Sequence, residues 1–179
     1  MFLATIESLV VGIMPMPSLV TLRAALDSSD EPKDVLPIYI GPIEASAIAA
    51  ALDGKHDERP LTHSLANNLV QALGGSVSRV VIDRVEGATF FATVYVRCSN
   101  GMFTRVDARP SDAIALAIRA NAPLFVEEEV MQAASCPRVF NPEEEKRMEL
   151  EEFDKFIEGV SPEDFATPGK PTASDSHTN

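Results

Sequence analysis

Val106-Asp107-Ala108-Arg109-Pro110-Ser111-Asp112-Ala113-Ile114-Ala115-Leu116-Ala117 is the stretch on which the reading of the fold turns. Alternating apolar and polar residues run into it, and an apolar, alanine-rich run leaves it, so the pattern changes from strand to helix inside it. Pro110 marks the joint. It biases Arg109 away from helical angles, and its own fixed φ suits the first helical position. Asp112 then falls on the third helical position, where free backbone N–H groups and the positive end of the helix dipole favour a carboxylate. Such a turn, crowded with Asp107, Arg109, Ser111 and Asp112, serves either as a capped helix start or as one wall of a site.

Working outward, the same grammar occurs earlier. Gly41-Pro42-Ile43-Glu44-Ala45 also has a strand feeding a proline, an acid two residues on and a small-residue helix. Residues 2–13, Ser18–Ala24 and Val35–Ile40 read as strands, with a polar loop over Asp27–Asp34. Ile43–Leu52, apolar all round, reads as a buried helix. Thr62 is the expected N-cap of a second helix, His63–Leu73, with Leu65, Leu69, Val70 and Leu73 on one face and Gly74-Gly75 as its stop. Val77–Val85, Ala88–Cys98 and Met102–Asp107 read as antiparallel strands joined at Glu86-Gly87 and Asn100-Gly101, the second a strong hairpin signal. The helix begun at Pro110 should end near Ala120, followed by a short strand Leu124–Val126 and a short helix Glu127–Ala134. The expected fold is α+β: a mixed or antiparallel sheet with helices packed on it, in one compact domain over residues 1–135.

The chain has 179 residues and a net charge of −12. Residues 1–135 carry 10 Lys/Arg against 16 Asp/Glu, and residues 136–179 carry 5 against 11, so the much shorter second part holds half of the excess. That balance argues against nonspecific nucleic-acid binding through a basic surface. Residues 136–166 read as an acidic, amphipathic helical extension with Leu150, Phe153, Phe156 and Ile157 on one stripe, and residues 167–179 as a disordered tail. Cys98 and Cys136 match no metal spacing and read as reduced thiols. The N-terminus lacks a basic region and Glu7 interrupts its apolar run, so no signal peptide is expected. No apolar run approaches the ~18 residues of a membrane span. Both point to the cytoplasm.

Seven residues can carry chemistry: Glu44, Arg59, His63, Asp107, Arg109, Ser111 and Asp112. Glu44 and Asp112 either satisfy the free N–H groups of their own helices or act as paired carboxylates for a divalent cation such as Mg²⁺. His63 is either part of a helix-start turn or a general acid/base. Arg59 and Arg109, each before a proline, either pair with nearby carboxylates or grip phosphate. No P-loop, dinucleotide glycine motif, zinc-protease motif or nucleophile elbow is present.

Three segments read together resemble a known family. Leu36-Pro37-Ile38-Tyr39-Ile40-Gly41 leading to Glu44-Ala45, Arg59-Pro60-Leu61-Thr62-His63, and Asp107 to Ala117 leading to Ala122-Pro123 and Val126 are similar, in order and spacing, to the bifunctional nuclease domain family over roughly residues 3–135. The resemblance implies a compact α+β domain with low-specificity DNase and RNase activity. On that reading Glu44, Asp107 and Asp112 hold Mg²⁺ or Mn²⁺, and His63, Asp112 and Glu44 form the catalytic set. Arg59, Arg109 and Ser111 bind the phosphate of a DNA or RNA substrate. The alternative expectation is a non-catalytic regulatory or small-anion-binding module; a homodimer is expected. Two positions depart from the family pattern: Ser64 stands where an Asp is usual, and Tyr39 where a Trp is usual.

Overall fold

Two tight turns set the right-hand half of the sheet. In a computed structural model of the chain, Gly87 and Gly101 take φ of +60° and +83°, the left-handed region that glycine enters without penalty. They join β4 (Ser76–Glu86) to β5 (Thr89–Arg97) and β5 to β6 (Phe103–Ala108). At the second turn the Cys98 N–H donates to the Met102 carbonyl at 2.7 Å, and Asn100 Oδ1 accepts the Met102 N–H at 3.0 Å. The described residues are 1–13, 15–24, 34–54 and 58–137. Two compact units divide the chain, Met1–Arg138 and Val139–Asn179, and every element described here belongs to the first. Most of the loop expected over Asp27–Asp34, and nearly all of the extension and tail expected after residue 135, lie outside the described residues.

The remaining elements are β1 (Phe2–Val10), β2 (Ser18–Ala24), β3 (Asp34–Ile40), α1 (Pro42–Leu52), α2 (Thr62–Ala72), α3 (Pro110–Ala120), β7 (Leu124–Val126), α4 (Glu128–Ala134) and β8 (Cys136–Pro137). One sheet runs in the order β6-β5-β4-β7-β1-β2-β3-β8. β4 and β7 pair in parallel, and every other neighbouring pair is antiparallel. The α+β expectation with a mixed sheet therefore holds. β8, too short to leave a signal in sequence, adds Cys136 and Pro137 to the sheet edge beside β3.

α3 lies at the centre of the core. Ala113, Ile114 and Ala115 have no solvent exposure and pack with Leu22, Leu36, Ile48, Val80 and Ile82. Its alanines let it approach both the sheet and α1 closely, and packing of this kind supplies most of the stability of so short a helix. β4 carries two irregularities, at Val77/Arg79 and Ile82/Arg84, and such bulges bend and twist a strand. The sheet curls enough that β3 and the β4–β5 turn, far apart in strand order, line one pocket.

Three expectations need correction. β1 stops at Val10, so residues 11–13 lie beyond it, with Ile13 largely in solvent. α1 is not buried all round: Ala45, Ile48 and Ala51 face inward, while Ile43 is 82% exposed. In α2 the expected apolar face looks outward. Leu65, Leu69 and Leu73 are 48%, 55% and 81% exposed, and Asn67 is its one buried residue. Periodicity reveals that a helix has an apolar face; it does not say what covers that face.

Candidate functional site

Both proline-led helices start as the sequence suggests. Pro42 and Pro110 open α1 and α3, which places Glu44 and Asp112 alike at the third helical position. Arg109 precedes α3 in extended backbone, φ −68° and ψ 146°. That geometry throws its side chain clear of its own helix, and the guanidinium lands between the two carboxylates. Arg109 Nε donates to Asp112 Oδ2 at 2.8 Å, and Nη1 donates to Glu44 Oε1 at 3.0 Å. On its other side, Asp112 Oδ1 lies 3.1 Å from His63 Nε2, in the first turn of α2. Glu44, Arg109, Asp112 and His63 thus form one continuous line of contacts across three helix starts.

In this arrangement both carboxylates face a cation that the chain itself supplies. The cap residues themselves, Gly41 and Arg109, make no side-chain cap hydrogen bond, so Glu44 and Asp112 are the acidic groups of these two first turns. The cation between them is the guanidinium. Among the described residues, no three His, Cys, Asp or Glu side chains come together as a group that could hold a metal. Asp107 lies on β6 opposite Thr93, and no hydrogen bond or ion pair joins it to the line of contacts. α2 is likewise preceded by Leu61, without a side-chain cap, and Thr62 is already helical.

Glycine at position 41 belongs to the same construction. A Cβ there would collide with Oε2 of Glu44, whose carboxylate folds back over the start of its helix. A larger residue at 41 would push that carboxylate away from Arg109.

Electrostatics follow from the contacts. Burial, the largest single influence on Asp112, works against its charge, but the hydrogen bonds and charges of Arg109 and His63 outweigh it. The carboxyl is held below the usual carboxylate range. The hydrogen bond and charge of Asp112, then the hydrogen bond to Glu44, push the Arg109 guanidinium upward. An ionised carboxylate can only accept, so the bond to His63 requires the proton on Nε2. When the ring is neutral, its free lone pair is on Nδ1.

An open pocket of about 280 Å³ adjoins Arg109. It lies between the end of β3 with Gly41 and Glu44, the turn Ala88–Phe90, and Arg109–Ser111. Ser111 lines it but is only 6% exposed. Arg109, 65% exposed in its side chain, spends two of its five N–H groups on the carboxylates. Tyr39, 71% exposed, stands at the pocket as an aromatic ring in solvent. Phe90, at the start of β5, is a second aromatic there, on a strand that carried no signal of a site. Arg59 is exposed in the segment before α2, and no ion pair ties it to the site. So the structure brings Glu44, His63, Arg109 and Asp112 together, puts Ser111 beside them in the pocket wall, and leaves Arg59 and Asp107 outside.

Comparison with known proteins gives the same picture of ancestry. The model of the bifunctional nuclease domain matches residues 25–138, and the chain belongs to that family. Two relatives from Mycobacterium tuberculosis, uncharacterized protein Rv1829 of strain H37Rv and uncharacterized protein MT1877 of strain CDC 1551, are each 39% identical over 135 residues. The match covers 73% of this chain and 80% of each relative. No helix among the described residues is long and apolar enough to cross a membrane.

Proposed function

We propose that this member of the bifunctional nuclease domain family hydrolyses phosphodiester bonds in DNA or RNA with low sequence preference. The observation that carries the proposal is the unbroken line of contacts from Glu44 through Arg109 and Asp112 to His63, beside an open pocket. In this reading the unspent N–H groups of Arg109 hold a phosphate oxygen, with the planar, multi-donor geometry that suits phosphate. Tyr39 and Phe90 give a nucleobase something to stack on, an interaction tolerant of sequence. Asp112 fixes the imidazole, and Nδ1 of His63 takes a proton from the attacking water as its oxygen bonds to phosphorus; the ester oxygen that departs takes its proton from solvent. Glu44 is a positioning residue here, holding the guanidinium from its far side.

A divalent cation would compete with the guanidinium for Glu44 and Asp112, each of which gives one of its two oxygens to Arg109. A reducing cytoplasm suits the two free thiols, Cys98 and Cys136.

The test is cleavage of single-stranded DNA and RNA oligonucleotides by the purified full chain, in chelator and with Mg²⁺ or Mn²⁺ added. His63→Ala should lower the rate ~10²- to 10⁴-fold, the usual loss for a general acid/base. Cleavage that survives both His63→Ala and Asp112→Asn overturns the assignment of the site. Oligonucleotide binding without turnover would instead support a non-catalytic anion-binding module. Cleavage that appears only with added metal would move Arg109 out of the role given to it.

A further inference from the structure

β6 is the last strand on its side of the sheet, and it is exposed along its length. Phe103 and Val106 are 58% and 49% exposed. An open strand edge of this kind is a template for pairing and is normally blunted or covered. Its backbone polarity can be read from the β5–β6 turn. The Cys98 N–H to Met102 carbonyl bond closes the hairpin, so in the observed register the pairs that exchange backbone bonds with β5 alternate from there: Thr104, Val106 and Ala108. Phe103, Arg105 and Asp107 therefore present their N–H and C=O groups to the open side.

We infer that β6 is the contact through which two copies of this chain form a dimer, pairing antiparallel with the twofold axis at Val106. Only odd-numbered residues of β6 offer outward backbone groups, so a symmetric pair that bonds more than one of them in each copy must centre on Thr104, Arg105 or Val106. Centring on Arg105 sets two arginines face to face. Centring on Thr104 sets Arg105 against the partner's Phe103 and leaves Asp107 without a β6 partner. Centring on Val106 sets Arg105 against the partner's Asp107, and Asp107 against the partner's Arg105, in two opposite-charge cross-strand pairs. Among the described residues, neither Arg105 nor Asp107 has an ion pair within its own chain. The charges that would repel a foreign strand are thus self-complementary.

A two-strand contact alone is small beside the ~1,200–2,000 Å² of a stable interface. α2 supplies more. It starts beside α3, where His63 meets Asp112, and ends where Gly74 lies against Ser99 of the β5–β6 turn, so it spans the same two ends as β6. Its outward leucines, Leu61, Leu65, Leu69 and Leu73, are between 48% and 81% exposed. The same pairing places the partner's Phe103 opposite Arg109, which ties the contact to the site. The inference does not depend on the proposed activity.

Sedimentation of the full chain tests it. The natural protein should be a dimer, and Arg105→Asp or Asp107→Arg should raise its dissociation constant about tenfold or more, since each turns two attractions into repulsions. The double exchange Arg105→Asp/Asp107→Arg should restore the dimer. A natural chain that remains monomeric, single variants that dimerise unchanged, or a double exchange that stays apart from its own kind would each overturn the inference. A second readout guards against misfolding. In a Cys98→Ser/Cys136→Ser background, Val106→Cys should cross-link to itself on mild oxidation, because Cα atoms of such a pair lie about 4.5 Å apart, within disulfide reach. Thr104→Cys should not. The reverse pattern refutes the register.

Discussion

α2 and α3 are each 11 residues long, each begins at the site and each places one working side chain in its first turn, yet they are held in opposite ways. α3 buries Pro110, Ser111, Ala113, Ile114, Ala115 and Ala117. α2 buries Asn67 alone and turns its leucines to solvent. The more strongly fixed helix carries Arg109 and Asp112, which set the geometry, while the lightly held one carries His63, the group that must exchange protons. Rigid placement is bought where charges have to converge. His63 is then located by its bond to Asp112 more than by the packing of its helix.

The largest break in this contrast should come from the core of α3. Ile114→Ala should cost about 2–5 kcal/mol in chemical denaturation, because the side chain is fully enclosed and its removal leaves a cavity. A loss below 1 kcal/mol would mean that α3 is no better anchored than α2. The joint between the helices comes next. Asp112→Asn should cost under about 1 kcal/mol at neutral pH, since its side chain is 38% exposed and solvent screens the pair. The pH dependence has a definite sign. The folded carboxyl lies below its usual value, so its contribution is present above about pH 4 and is lost as pH falls through the depressed folded value. The stability difference between the natural chain and Asp112→Asn should therefore be level from pH 5 to 7 and shrink in acid. A difference that grows in acid would assign the effect to another group. The smallest effect belongs to α2: Leu69→Ala, in chain diluted to monomer, should change stability by no more than ~0.5 kcal/mol. A core-sized loss there would place the leucine stripe inside the monomer.

Legibility followed the range of the interaction. β2 and β7 have the bounds read from sequence, and β5 and β6 start and end within a residue of theirs, because local turn chemistry sets those ends. Pro110 and Pro42 announced α3 and α1 for the same reason. The parallel pairing of β4 with β7 left no local mark, since it joins segments some 40 residues apart. The candidate residues were legible as types at helix starts, and the family resemblance selected them; their grouping was not. Arg109 reaches Glu44 across 65 positions of sequence. Pairing of Arg109 with a carboxylate was one of the two alternatives read from the sequence; what spacing could not give is that one guanidinium bridges Glu44 and Asp112 at once, and an exposed Tyr39 read only as a family variant.

β7 carries a burden out of proportion to its three residues. It pairs with β4 on one side and β1 on the other, and so is the seam between β4–β6 and β1–β3 in the sheet. During synthesis β1 leaves the ribosome about 120 residues ahead of it, which at ~5–20 residues per second is roughly 6–24 s. For that interval the nascent protein carries an open, Leu- and Ile-bearing strand whose second neighbour does not yet exist. Before β7 is made the described strands can form only two separate antiparallel meanders, β1–β2–β3 and β4–β5–β6, and the sheet is complete only once β8 at Cys136–Pro137 has been translated.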